Sequence, residues 1–150
     1  RSEKALAEAE ARSGKAAIAW LHGDFIANPR ILLEADLQGP VAFYSVHLHE
    51  FLSLGRERVV QWLRALRHGF PGSYLIALEQ PALDSGAEGE VLRLYSSSNR
   101  FIHHLIGNGR ILSAGDWSCL FEEAGGRVIA VQELGYLGYH AWVVQLGEDG

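Results

Sequence analysis

The stretch 41–80 constrains the fold more than any other part of the chain: an apolar run, "VAFYS", then "SLGRERVVQWLRALRHGFPG", then a second apolar run, "SYLIALEQ". In the middle segment Val59, Trp62, Leu63 and Leu66 recur at the spacing of a helix with one buried stripe, and Gly69 and Pro71 supply its stop. The flanking runs are short and almost wholly apolar, the pattern of strands in a sheet whose faces are covered by helices. A helix between two such strands is the repeating unit of an α/β domain.

The same alternation extends along the chain. "EKALAEAEAR" behind a capping Ser2 reads as a helix stopped at Gly14, and "AAIAWLHGDF" as a short buried strand ending in a Gly-Asp turn. "IANPRILLEADLQGP" is an irregular link punctuated by Pro29 and Pro40. "VLRLYSSSNRFIHHLIGN" reads as an interrupted helix. Ser113 and Asp116 have capping-box spacing ahead of Trp117, Leu120, Phe121 and Ala124 on one helical face, with Gly125 as the stop. "RVIAVQEL" and "HAWVVQL" follow as β-rich runs joined by "GYLGY"; with no helix between them they are expected to pair antiparallel. The expected fold is α/β, a mostly parallel sheet with an antiparallel C-terminal hairpin, in one domain over 1–150. Trp20, Trp62, Trp117 and Trp142 read as core.

Composition narrows the function classes. A formal charge of −5 argues against a sequence-independent grip on nucleic acid, which needs concentrated Lys and Arg, and the arginines of "RERVVQWLRALRH" are spaced around a helix as a solvated face. Cys119 is the only cysteine, so no intrachain disulfide can form, and a cytoplasmic location is expected. No apolar run approaches the roughly 18 residues of a membrane span, so no membrane partner is expected. The chain contains no Met and opens on "RSEKALAEAEARSGK", from which a cut or processed N-terminus is expected.

Ligands of open α/β sheets bind beyond the carboxyl ends of the strands. Polar groups collect at three such ends, "HGDF", "SVHLHEF" and "LEQP". His47 and His49 admit three readings: a polar strand end, a metal pair, or a general base at a cleft. A strand continued through both would point them to one side, as paired metal ligands are. That reading needs a third ligand from His103, His104 or Glu50, and no such set has a recognised spacing, so no metal site is assigned. Asp24 is either a turn former or a ligand-binding carboxylate.

Those three strand ends, in that order, resemble the second half of the Rossmann-like S-adenosylmethionine-dependent methyltransferases, especially the small-molecule O-methyltransferases. Gly23, Asp24 and Phe25 match the turn that holds the cofactor's adenine, and Ser45 stands where plant enzymes carry a lysine near the cofactor. His49, Glu50 and Phe51 match a His-Asp-Trp turn whose histidine, in plant phenolic O-methyltransferases, deprotonates the acceptor hydroxyl. Glu79 and Pro81 match the end of the next strand, and "NGRILSAGDWSCLFEEAGGRV", 108–128, follows the family's Asn-Gly segment, capped helix and hairpin. The resemblance implies S-adenosyl-L-methionine as cofactor, bound at Asp24, Phe25 and Ser45. It implies His49 as base, with Glu50 beside it, and His104 and Asn108 at a small-molecule acceptor. Ile111 stands where plant enzymes place a second catalytic acid, so a plant-type phenol is not implied.

The family's Gly-rich loop belongs before the first helix, so the sheet is expected to lack an N-terminal βαβ unit, about 30 residues, that an upstream segment or a second chain would complete. The runs at Val41, Tyr74, Val128 and Val143 should then form a four-stranded block, leaving the 16–21 strand apart from it. The implied function is methyl transfer to an oxygen of a small molecule, for which an imidazole with its ordinary pKa of about 6.5 is a suitable base. The alternative is a truncated, non-catalytic methyltransferase-like module that binds a partner.

Overall fold

A computed structural model of the chain describes residues 25–26, 28, 30–33, 37, 41–82, 89–105, 107, 111–135 and 138–147. The chain divides into two compact units, Arg1–Asp36 and Leu37–Gly150. In the first, the described residues include a turn at Phe25 and Ile26 and one helical turn, Arg30–Leu33. The expected first helix and the 16–21 strand lie outside the described residues.

The second unit runs β1 (Ala42–Val46), a 3-10 helix (Leu48–Leu54), α1 (Arg56–Gly69), β2 (Ser73–Glu79), α2 (Glu90–Leu105), α3 (Ala114–Glu123), β3 (Gly126–Glu133) and β4 (His140–Leu146). Its four strands form one sheet in the order β1-β2-β4-β3. β1 and β2 are parallel, from Ala42 opposite Tyr74 to Val46 opposite Leu78. β4 lies between β2 and β3 and is antiparallel to both. The four-stranded block and the antiparallel hairpin are therefore present. The description "mostly parallel" needs correction for these strands: one pairing is parallel and two are antiparallel. The short β3–β4 connection reverses the chain, and the returning strand inserts beside β2 rather than extending the edge, so both of its neighbours run against it.

Directly paired residues share a sheet face, which puts Phe43, Leu75, Ala77, Trp142 and Val144 on one side. That side is covered by α1 and α3. The buried stripe of α1 is Val59, Val60, Leu63 and Leu66, and that of α3 is Trp117, Leu120 and Phe121. The rings of Trp117, Phe121 and Trp142 stand 5.7–6.4 Å apart, and the Trp142 indole donates to Ser118 Oγ at 3.2 Å. Burying each of these large side chains contributes about 1.5–3 kcal/mol. Trp62 is only half-buried, not core as its spacing suggests, because it sits at the margin of the α1 stripe. The opposite sheet face keeps Tyr44, Val46 and Tyr74 exposed.

The capping box is formed: Ser113 Oγ accepts from the Asp116 N–H at 3.1 Å, and the Ser113 N–H donates back to the Asp116 carboxylate at 3.4 Å. Gly125, at φ 81°, provides the left-handed residue that stops α3. Ser113→Ala is expected to lower stability by about 1 kcal/mol, read as a lower urea midpoint at unchanged slope.

Helix α2 is continuous from Glu90 to Leu105 rather than interrupted. Ser96, Ser97 and Ser98 are weak helix formers in isolation, but Ser96 is buried and Asn99 is hydrogen-bonded to Gln80. Tertiary contacts outweigh the few tenths of a kcal/mol that such propensities carry. No helix among the described residues is long and apolar enough to cross a membrane.

Candidate functional site

Because β1 and β2 are parallel, both carboxyl ends lie on one rim of the sheet, and the antiparallel β4 starts there, with His140 opposite Glu79. His47 follows β1 directly. Its N–H donates to the Leu78 carbonyl at 3.2 Å, and its backbone is left-handed, φ 61° and ψ 43°. That conformation costs a non-glycine residue about 1–2 kcal/mol and ends the strand. His47 and His49 are consequently not alternate residues of one strand; the chain turns into the 3-10 helix between them.

The turn delivers successive amides to one carboxylate. The Leu48 N–H donates to Glu79 Oε1 in a short hydrogen bond, and the His49 N–H reaches Oε2 at 3.5 Å. His49 Nδ1 lies 2.7 Å from the same Oε2. Glu79 is fully buried and His49 is 3% exposed. Glu79 is the fourth inward residue of β2, after Ser73, Leu75 and Ala77, so the alternation of the strand itself buries the carboxylate. A carboxylate only accepts, so a hydrogen sits on Nδ1, and in the neutral ring Nε2 then carries the lone pair. Nε2 is buried and has no hydrogen-bond partner among the described residues. A buried acceptor without a donor is costly unless something supplies one.

Two further rings stand against this one. The His103 ring meets it edge-on at 4.7 Å between centroids, and the His47 ring lies at 5.3 Å. His47 Nε2 is hydrogen-bonded to the Tyr139 hydroxyl at 2.9 Å. On α2, one turn before His103, Asn99 donates to Gln80 Oε1 at 2.7 Å.

Of the residues singled out from the sequence, His49 sits at the centre of this cluster. Glu50 is exposed, and the carboxylate that holds the imidazole is Glu79. On α2 the inward histidine is His103, while His104 is exposed. Ser45 is half-buried on β1; Phe25 is half-buried in the turn of the first unit. Asp24 and Asn108 lie outside the described residues. Among the described residues no three His, Cys, Asp or Glu side chains are grouped so as to hold a metal ion. Tyr139 had no sequence signal beyond its place before β4. Glu79 had one, a carboxylate ending an apolar strand at a buried parity.

No protein-family model and no curated protein sequence matches the chain. Solved structures do. The mitomycin 7-O-methyltransferase MmcR is 16% identical, with a TM-score of 0.67 over 96% of this chain and 38% of that one. CalO1, a methyltransferase of calicheamicin biosynthesis in its SAH-bound form, is 18% identical, with a TM-score of 0.59 over 83% of this chain and 33% of that one. LepI in complex with SAM is 14% identical, with a TM-score of 0.70 over 99% of this chain and 35% of that one. The chain thus has the fold of part of the small-molecule O-methyltransferases, and it spans well under half of the length of the structures it matches.

Proposed function

We propose that this chain carries the acceptor-side base of an S-adenosylmethionine-dependent methyltransferase acting on an oxygen of a small molecule. The observation that supports this most directly is the buried His49 ring, held at Nδ1 by Glu79 and left unpartnered at Nε2. In this reading Nε2 accepts the hydroxyl proton of the acceptor as its oxygen becomes a nucleophile. Glu79 is the positioning residue: it fixes the tautomer and stabilises the imidazolium that forms. A base so placed contributes roughly 10²–10⁴-fold. His103 and the Asn99–Gln80 amide pair border the acceptor, while the exposed Glu50 takes no part. When bound, S-adenosylmethionine supplies the methyl group.

For that cofactor the candidates are Asp24, Phe25 and Ser45. Among the described residues only the Phe25 ring and the Ser45 hydroxyl represent this set, and they belong to different units. The assignment is therefore tested by binding. Calorimetry on the full-length protein is expected to show S-adenosylhomocysteine binding, weakened by about 1–3 kcal/mol in Asp24→Ala, where the adenine amine loses its acceptor. Unchanged affinity would return Asp24 to the role of turn former.

A second reading is a non-catalytic module that binds a partner. It is favoured by the closure of the site, since His49 is almost fully buried with the His103 ring against it. The fold is also not tied to transfer, because one matching structure is that of a pericyclic reaction enzyme. Transfer of labelled methyl to a hydroxyl acceptor separates the readings: binding of S-adenosylhomocysteine with no transfer to any hydroxyl acceptor favours the module.

A further inference from the structure

The His49 ring is shut in. It is 3% exposed, and its Nε2 is buried with no hydrogen-bond partner among the described residues. A hydroxyl that gives its proton to this nitrogen needs its oxygen within about 2.6–3.2 Å of it. Glu79 closes the Nδ1 side at 2.7 Å. Two rings stand against the imidazole, His47 at 5.3 Å between centroids and His103 at 4.7 Å with 83° between the planes. Of the two, His47 is pinned. Its Nε2 is hydrogen-bonded to the Tyr139 hydroxyl, its N–H donates to the Leu78 carbonyl, and its own carbonyl accepts from the Glu50 N–H. His103 meets His49 differently, by an edge-on ring contact with no hydrogen bond at His49 Nε2. It is half-buried in the last turn of α2, and Asn99, one turn earlier, fixes the helix through Gln80. A helical side chain has two open χ1 wells, at about 180° and −60°. One torsion can therefore carry the His103 ring off His49 while α2 stays in place.

We propose that His103 is the residue that decides what reaches His49: its ring is a stopper that holds the acceptor's place against Nε2 and swings aside when a hydroxyl binds. The role in acceptor selection rests on the reading of His49 as the base. In the empty site the stopper keeps water off the lone pair, at the cost of leaving a buried acceptor atom without a donor. An incoming hydroxyl supplies that donor, and the gain offsets the edge-on ring contact that is lost. A molecule with no hydrogen to donate displaces the same ring without the gain, so the site favours hydroxyls over groups of similar shape that cannot donate. The burial of His49, which favours a non-catalytic module when taken as permanent, is in this account the resting state of an acceptor site.

The test is carbethoxylation of the full-length protein by sub-stoichiometric diethyl pyrocarbonate, which attacks an unprotonated ring nitrogen, with peptide mapping to read each histidine. His104, exposed beside His103 on α2, is the internal reference. In the starting protein His49 is expected to react about tenfold more slowly than His104, the factor that the upper end of an edge-on ring contact corresponds to. His103→Ala should remove most of that difference, and His103→Phe, which keeps a ring against His49, should preserve it. Circular dichroism checks the fold; should the alanine variant not fold, His103→Gln, which also lacks the ring, is expected to open the site and decides in its place. His49 reacting as fast as His104 in the starting protein overturns the proposal. So does a His103→Ala protein in which His49 stays slow, since the cover then lies elsewhere, or a His103→Phe protein in which it turns fast. Failure of the base assignment reads differently. If His49→Gln leaves methyl transfer unchanged while His103→Ala still exposes His49, the stopper stands and the base falls. If His49→Gln abolishes transfer while His103→Ala leaves His49 slow, the base stands and the stopper falls.

Discussion

His49→Gln is expected to lower the rate of methyl transfer at least a hundredfold while leaving the affinity for S-adenosylhomocysteine within a few-fold of the starting value. Glutamine keeps a donor for Glu79 and a polar group in the same space, but it has no basic lone pair at the place Nε2 occupies. The loss therefore falls on the step in which the hydroxyl gives up its proton, and it should appear equally in kcat and kcat/KM. Single-turnover transfer of labelled methyl measures it without interference from product release. Transfer at the original rate would show that positioning alone activates the acceptor, and a carbon or nitrogen nucleophile would then be the better assignment. The control is Glu50→Gln. Glu50 is exposed and the carboxylate that holds the ring is Glu79, so substitution of Glu50 should leave the rate unchanged.

The strands and helices of the second unit were legible because each carried its own period and punctuation. The Val59-to-Leu66 stripe with Gly69 and Pro71 gave α1, the Ser113–Asp116 box gave the start of α3, and the apolar run "SYLIALE" gave β2. What the sequence could not supply was the partner of each polar group. Glu50 is adjacent to His49 in the chain, and adjacency suggests contact, but in a 3-10 helix consecutive residues point in different directions. The carboxylate that meets the ring comes instead from 30 residues downstream, carried there by the parallel pairing of β1 and β2. The same reason separates His103 from His104. Helical periodicity fixes that they face differently, and only the packing of α2 decides which one faces inward.

Glu79→Ala is expected to lower stability by about 3–5 kcal/mol, because it leaves buried donors without their acceptor. The cause is the number of donors the carboxylate serves. The Leu48 N–H and His49 Nδ1 both give hydrogen bonds to it, and the His49 N–H lies within reach. Leu48 is fully buried and His49 nearly so, which leaves these donors little access to water once the acceptor is gone. Each orphaned donor costs roughly 1–3 kcal/mol, so two of them account for the expected loss without counting the small cavity. Set against a typical total of about 5–15 kcal/mol, that is at least about a fifth of the stability of a domain this size. Urea unfolding followed by tryptophan fluorescence reads the change directly, since Trp117 and Trp142 sit in the core. Glu79→Gln separates folding from chemistry. Its amide oxygen still accepts one donor and its amide nitrogen opposes the other, so a smaller loss, about 1–2 kcal/mol, is expected. The imidazole would no longer be held in a single tautomer, and the rate should fall more than the stability does. A loss below about 1 kcal/mol in Glu79→Ala would mean that the carboxylate does not anchor the corner after β1. The left-handed turn at His47 would then rest on its bonds to Leu78, Glu50 and Tyr139.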